Sequence, residues 1–177
     1  ACHKIGDYIL FLLTRQERFL TRPLVILCIG SDRYTGDALG PLIGSYLIER
    51  TNCIVYGCLD YPVHAGNLVE TINLIDSRHH QPVIIAIDAS LGKHNEIGNI
   101  EVWEGGLDAG IAVGNRLPRI GHISIIGVVN ASGHIGYLDL QSTPLSIVMK
   151  LTKVIATALE DAINAISSPQ DLISNGQ

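Results

Sequence analysis

Residues 24–41 read LVILCIGSDRYTGDALGP, and the parsing of that stretch decides the fold. Leu24 to Ile29 has no polar alternation, so it reads as a strand buried on both faces. From about residue 38 the apolar positions Leu39, Leu42, Ile43, Tyr46 and Leu47 follow helical spacing. Gly30 and Gly36 let the chain turn between strand and helix, or let backbone N–H groups approach a ligand. Such a turn often cradles phosphate, but this one lacks the GxGxxG spacing and the GK[ST] ending. It also carries two acids, Asp32 and Asp37, which would repel a phosphate.

The same grammar continues downstream. Residues 53–58 and Pro82 to Ile87 read as further strands, and Leu68, Ile72 and Ile75 mark a crossover helix over residues 65–76. Ile97 to Trp103 and His122 to Val129 read as the last two strands. Residues 105–121 look like a long irregular loop, and Pro144 to Ile166 like a long amphipathic helix. Residues 5–20 predict a helix at the start of the chain. Alternating strands and helices imply an α/β fold: a three-layer α/β/α sandwich on a mostly parallel five-stranded sheet. We expect strand order 2-1-3-4-5, with one strand open to reversal, and a single domain over residues 1–177. Residues 1–22 would form an N-terminal helical segment and 167–177 a polar tail.

Bulk composition fits a folded domain. The 177 residues are 47% hydrophobic and 16% charged, enough for a real core. A net charge of −5 argues against a general nucleic-acid surface. No apolar run approaches the roughly 20 residues of a membrane span, and the first residues lack a signal-peptide layout. Cys2, Cys28, Cys53 and Cys58 form no CxxC pair, which fits a reducing cytoplasm.

In an open parallel sheet, ligands bind beyond the carboxyl ends of the strands, where the strand order switches. For order 2-1-3 the switch lies between the loops that begin at Gly30 and Asp88. Asp37, near the helix start, and Asp88, closing "VIIAIDAS", should therefore face one crevice. Taken singly, each has a plain alternative: Asp37 as a helix N-cap, Asp88 as a turn anchor. Taken together, two carboxylates can divide the work of base and acid, provided their pKa values are split. The helix N-terminus would favour ionised Asp37, leaving the proton on Asp88. Alternatively, both can grip a divalent metal that activates water.

Asp32, His64 and Asn130 are the candidate substrate contacts around that crevice. Each also has a structural reading: a solvated acid, a hydrogen-bonding loop residue and a turn residue. Asp60 reads as a solvated loop acid, and a Cys58/His64 nucleophilic pair ranks below the aspartates. No GxSxG elbow, HExxH motif or Cys-rich zinc spacing is present.

The segments CIGSDRYTGDALGPLIG, YGCLDYPVHAGNL, VIIAIDASLG and GNIEVWEGGLDAGIAVGNRLPRIGHISIIGVVNASG, in that order, closely resemble the YyaC family of sporulation proteins. That family resembles the germination protease of spore-forming bacteria and the hydrogenase maturation proteases. The resemblance implies a phosphorylase/hydrolase-type α/β fold and an atypical aspartic peptidase. It assigns the two functional aspartates, by the motifs TGDALGP and AIDA, to Asp37 and Asp88. Hydrogenase maturation proteases add a histidine from a later loop to bind a metal, but residues 105–121 contain no histidine. The resemblance therefore favours a site without a cofactor, a divalent metal at Asp37 and Asp88 remaining the alternative. It implies a protein or peptide substrate and a cytoplasmic location in the spore or forespore. A non-catalytic peptide-binding factor on the same fold, or a metal-dependent maturation protease, are the competing functions.

Overall fold

The computed structural model describes residues 2–109, 119–133 and 135–167. The expected tail thus lies, beyond Ser167, outside the described residues. The chain opens with helix α1 (Cys2–Thr14), shorter than the 5–20 span predicted, because the following segment tightens into a 3₁₀ turn at Phe19–Thr21. Strand β1 (Leu24–Cys28), helix α2 (Leu39–Arg50), strand β2 (Ile54–Tyr56), helix α3 (Leu68–Arg78) and strand β3 (Val83–Gly92) follow as two crossover units. Then come β4 (Ile100–Glu104), the short strands β5 (Leu107–Asp108) and β6 (Arg119–Ile120), and β7 (Ile123–Ala131). Helices α4 (Gly136–Gln141) and α5 (Leu145–Ser167) complete the described chain.

The five-stranded sheet runs β2-β1-β3-β7-β4, parallel except for β4 against β7. The expected order put the last two strands the other way round. Their side chains explain the exchange. In β4 the acids Glu101 and Glu104 are exposed while Ile100, Val102 and Trp103 are half-buried, a pattern suited to an edge with one wet face. In β7 nearly every residue from Ile123 to Val129 is buried, so it belongs inside the sheet. The short link from β3 to β4 leaves a strand-wide gap, and β7 fills it.

Two apolar layers sandwich the sheet. On one face α1, α2 and α5 bury Ile9, Leu13, Ile43, Leu47, Ile155 and Leu159 against Ile26, Ile85 and Ile125. On the other, Leu68 and Ile75 of α3 pack on Val25, Leu27 and Ala86. There the second layer is completed by a two-stranded antiparallel β5–β6 ribbon, whose Leu107 and Ile120 are buried. Part of the 105–121 segment, expected to be irregular, is therefore paired; residues 110–118 lie outside the described residues. Among the described residues, no helix is long and apolar enough to cross a membrane.

Candidate functional site

The sheet forks at Asp88. Strand β1 keeps register with β3 up to Cys28 opposite Ile87, and the Ile29 N–H still reaches the Ile87 carbonyl at 2.8 Å. There β1 leaves. Gly30, at φ +139°, turns the chain aside, and its N–H bonds the Val63 carbonyl at 2.7 Å. A Cβ at Gly30 would overlap the Asp37 carbonyl, so the turn closes tightly only around glycine. Strand β3 continues to Gly92, paired among the described residues with β7 alone. Asp88 thus sits inside a strand rather than at its end, as the sequence had suggested. Sheet alternation puts its side chain on the face of Ile84 and Ala86. It is 8% exposed, and its Oδ1 accepts the Ala89 N–H at 2.8 Å.

Asp37 approaches from the other prong. The loop from Gly30 folds back on itself: Ser31 N–H donates to the Asp37 carbonyl at 3.1 Å, and Asp37 N–H to the Tyr34 carbonyl at 3.0 Å. A 3₁₀ turn, Gly36–Ala38, then enters α2. Gly40 lets the helix start press on the main chain of Ile29, where a Cβ would overlap the carbonyl. The N-cap reading of Asp37 fails here, because Ala38 holds the cap position of α2 and no side chain caps it. Burial pushes the Asp37 carboxyl above the usual aspartate range; the Ser31 backbone and the nearby His64 pull less strongly the other way. The sequence expectation left Asp37 ionised by the helix N-terminus; burial acts against that ionisation.

His64 comes from the loop after β2, tied to the first prong by the Ile29–Val63 bridge. Its N–H donates to Asn67 Oδ1 at 2.9 Å, and its Nδ1 accepts the Gly66 N–H at 3.1 Å. That bond assigns the neutral ring's proton to Nε2.

Asp37, Asp88 and His64 all line one cavity of about 770 Å³ at the carboxyl ends of the strands. Asp32 is exposed and does not contribute to its wall. Neither does Asn130, whose side chain secures the turn after β7: Nδ2 donates to the Asp139 carbonyl at 2.9 Å, and Oδ1 accepts the Ala131 N–H. Asp60 is exposed outside the wall, and Cys58, buried beside its own turn, does not line the cavity. His134 lies outside the described residues. Among the wall residues that escaped the sequence reading are Arg33, Tyr34, Asp108 and Tyr137. Asp108 arrives on the β5–β6 ribbon, held 3.5 Å from Arg119 Nε, and Tyr137 on α4, its ring 6.3 Å from that of Tyr34.

The metal reading needs a cluster of donors. Among the described residues, no group of three or more His, Cys, Asp or Glu side chains is arranged to hold a metal ion. The donors described here therefore do not fit the three-ligand metal site that the resemblance to maturation proteases would imply.

Comparison with known proteins agrees with this architecture. The [NiFe] hydrogenase maturation protease HycI from Thermococcus kodakarensis KOD1 superposes with a TM-score of 0.58 at 16% identity, over 89% of this chain and 99% of that one. A Hydrogenase 3 maturation protease gives 0.54 at 14% identity, over 81% and 92%. At such identities the likeness speaks for the fold. In sequence, the chain is 44% identical over 140 residues to the "Uncharacterized protein YyaC" of Bacillus subtilis (strain 168), covering 78% of this chain and 68% of that protein. Residues 1–158 match the family described as "Protein of unknown function (DUF1256)", and over that span the fork with its two aspartates is enclosed: the chain belongs to the DUF1256 family.

Proposed function

We propose that this chain is a peptidase of two-aspartate type, acting on a protein or peptide substrate without a resident metal. The observation that supports this reading is the meeting of Asp37 and Asp88, remote in sequence, in one cavity at the switch point of the sheet. Their surroundings divide the roles. Asp88 Oδ1 is already a hydrogen-bond acceptor, and Asp88 takes the proton from an attacking water. Asp37, whose burial favours the protonated form, donates to the leaving nitrogen. The hydroxyl joins the carbonyl carbon, the C–N bond breaks, and the proton held by Asp88 returns through water to Asp37. From the resemblance of its motifs to sporulation proteins we extend this reading to a sporulation-linked role in the cytoplasm of the spore or forespore.

The test is cleavage of unfolded protein and of a fluorogenic peptide library by the purified chain. Asp37→Asn and Asp88→Asn should each lower turnover by about 10²–10⁴-fold, with native near-UV circular dichroism. Retained turnover in both variants sinks the mechanism. Saturable binding without cleavage by the wild type would select a binding factor on a peptidase fold. Loss of activity on chelation, restored by a divalent metal, would select the metal-dependent maturation-protease reading.

A further inference from the structure

The fork does more than bring two acids together; it leaves a strand edge inside the cavity. Main-chain groups of successive strand residues point alternately to the two neighbours. The Ile87 carbonyl points toward β1, as its bond from the Ile29 N–H shows, and the Gly92 carbonyl points toward the β7 side, where it takes the Ser132 N–H at 2.8 Å. The register in between puts Asp88 and Ser90 toward β7, and Ala89 and Leu91 toward the space that β1 vacates. Among the described residues no strand pairs with β3 on that edge beyond Ile87. The Ala89 N–H is occupied by Asp88 Oδ1. The Ala89 carbonyl and both main-chain groups of Leu91 remain along the edge, and Ala89, Ser90 and Leu91 all line the cavity. The β3–β7 ladder shifts register between Ser90 and Leu91, skipping Val129 on β7, so the alternation along β3 itself is kept.

We infer that this edge is the substrate-binding strand: an extended peptide segment adds to β3 alongside Ala89 and Leu91, filling the place β1 leaves and running past Asp88 and Asp37. This rests on the peptidase reading above and adds to it the form of the substrate, an unfolded stretch rather than a helix or a folded loop.

The two faces of the slot differ, and the difference specifies the segment. Tyr34 and Leu91 pack with the α2 and α5 layer, and Tyr137 lies against Tyr34, so one face is apolar and aromatic. On the other face is Asp88, and the ribbon's Asp108, ion-paired to Arg119, also lines the cavity. An added strand presents alternate side chains to the two faces. The fitting segment therefore alternates apolar with cationic residues.

The experiment uses the full chain carrying Asp37→Asn, so that turnover does not consume the probe. The probe is a capped hexapeptide alternating valine and lysine, with a fluorophore at one end. Two N-methylated forms are compared, one methylated at the valine amides and one at the lysine amides. We expect one form to bind at least tenfold more weakly than the parent and the other within about twofold, because alternate amides face the edge. At saturation, hydrogen exchange at the Leu91 amide should slow at least tenfold while that at Ile85 is unchanged. Equal loss from both methylation patterns, unchanged exchange at Leu91, or no saturable binding of the parent peptide at millimolar concentration would overturn the inference. Failure of the two ideas is separable. Phase-dependent binding by a wild type that never cleaves the probe keeps the docking strand and removes the hydrolase. Cleavage indifferent to methylation phase keeps the hydrolase and removes the docking strand.

Discussion

The two ends of the sheet both gather polar side chains, but they use them differently. At the amino ends Arg22 is spent on main chain: its Nε donates to the Gln81 carbonyl at 2.7 Å, Nη1 to Glu17 and Nη2 to Pro82, each at 3.1 Å. His122 sits beside it, its Nδ1 accepting the Ile84 N–H at 3.0 Å. These groups close off loops that would otherwise leave carbonyls and an N–H unanswered. At the carboxyl ends β1 turns away early, and Asp37, Asp88, His64 and Asp108 converge on open space instead. Polar side chains at one end hold the sheet together, and at the other they surround room for a ligand.

That contrast makes opposite demands on substitutions. The largest effect belongs to the carboxyl end, where Asp37→Asn or Asp88→Asn should remove about 3–5 kcal/mol of transition-state stabilisation, the free-energy equivalent of the 10²–10⁴-fold losses above. Arg22→Met should come next and should act on stability alone. It keeps the apolar stem but abandons three carbonyls, at a cost of about 2–3 kcal/mol after partial rehydration. Thermal unfolding should then fall by roughly 5–10 °C, with kcat/KM per folded molecule unchanged at 25 °C. A normal melting curve for Arg22→Met would show that the amino end is not the clamp described here.

How much of this was legible in the sequence depends on the length and burial of each element. Strands such as 24–29 and 83–87 announce themselves because parallel strands covered on both faces must be continuously apolar. The exchange of the last two strands was written in the alternation of Ile100-Glu101-Val102, an edge signature, but outranked by the default of sequential neighbours. Asp37 and Asp88 could be paired from topology alone, since a switch point in the strand order predicts a crevice. Arg33, Tyr34, Asp108 and Tyr137 could not. Tyr137 and Asp108 depend on α4 and on a ribbon with two residues per strand, elements too short to declare themselves by periodicity, and Arg33 and Tyr34 lie in the loop between β1 and α2, which has no periodicity to read. Asn130 faced the opposite difficulty: it stands at the right end of β7, but its amide is consumed by its own turn.

A smaller effect tests the amino end by pH. Burial, and then the adjacent Arg22 charge, hold the His122 pKa below the ordinary 6.5. The unfolded chain therefore binds the proton more readily, and unfolding takes it up. The stability that neutral His122 contributes is present above pH 6.5 and is lost as the pH falls through the lowered folded value. His122→Asn keeps an acceptor for the Ile84 N–H and does not titrate. Its melting temperature should vary less than the wild type's between pH 7 and pH 5, by a few degrees, in scanning calorimetry. Parallel pH profiles for the two proteins would remove His122 from the set of groups that respond to acid.

Asp37 at the opposite end should behave with the opposite sign. Its folded pKa is raised above the unfolded value of 3.8, chiefly by burial. Between those two values the native chain holds more protons than the unfolded one, so stability falls as pH rises through that window and stays at its lower level above it. Above that window the ionised carboxylate costs stability, tolerated where a functional group has to sit in a half-buried cavity wall. Asp37→Asn is nearly isosteric and never ionises. Above that window it should melt at a higher temperature than the wild type in scanning calorimetry. That gap should close as the pH falls through the raised folded pKa toward the unfolded value of 3.8. If Asp37→Asn is instead less stable than the wild type, or differs from it by the same amount at every pH, then the carboxylate anchors its loop as Arg22 anchors the far end. The distinction between a holding end and a binding end of the sheet would then fail at its most exposed point.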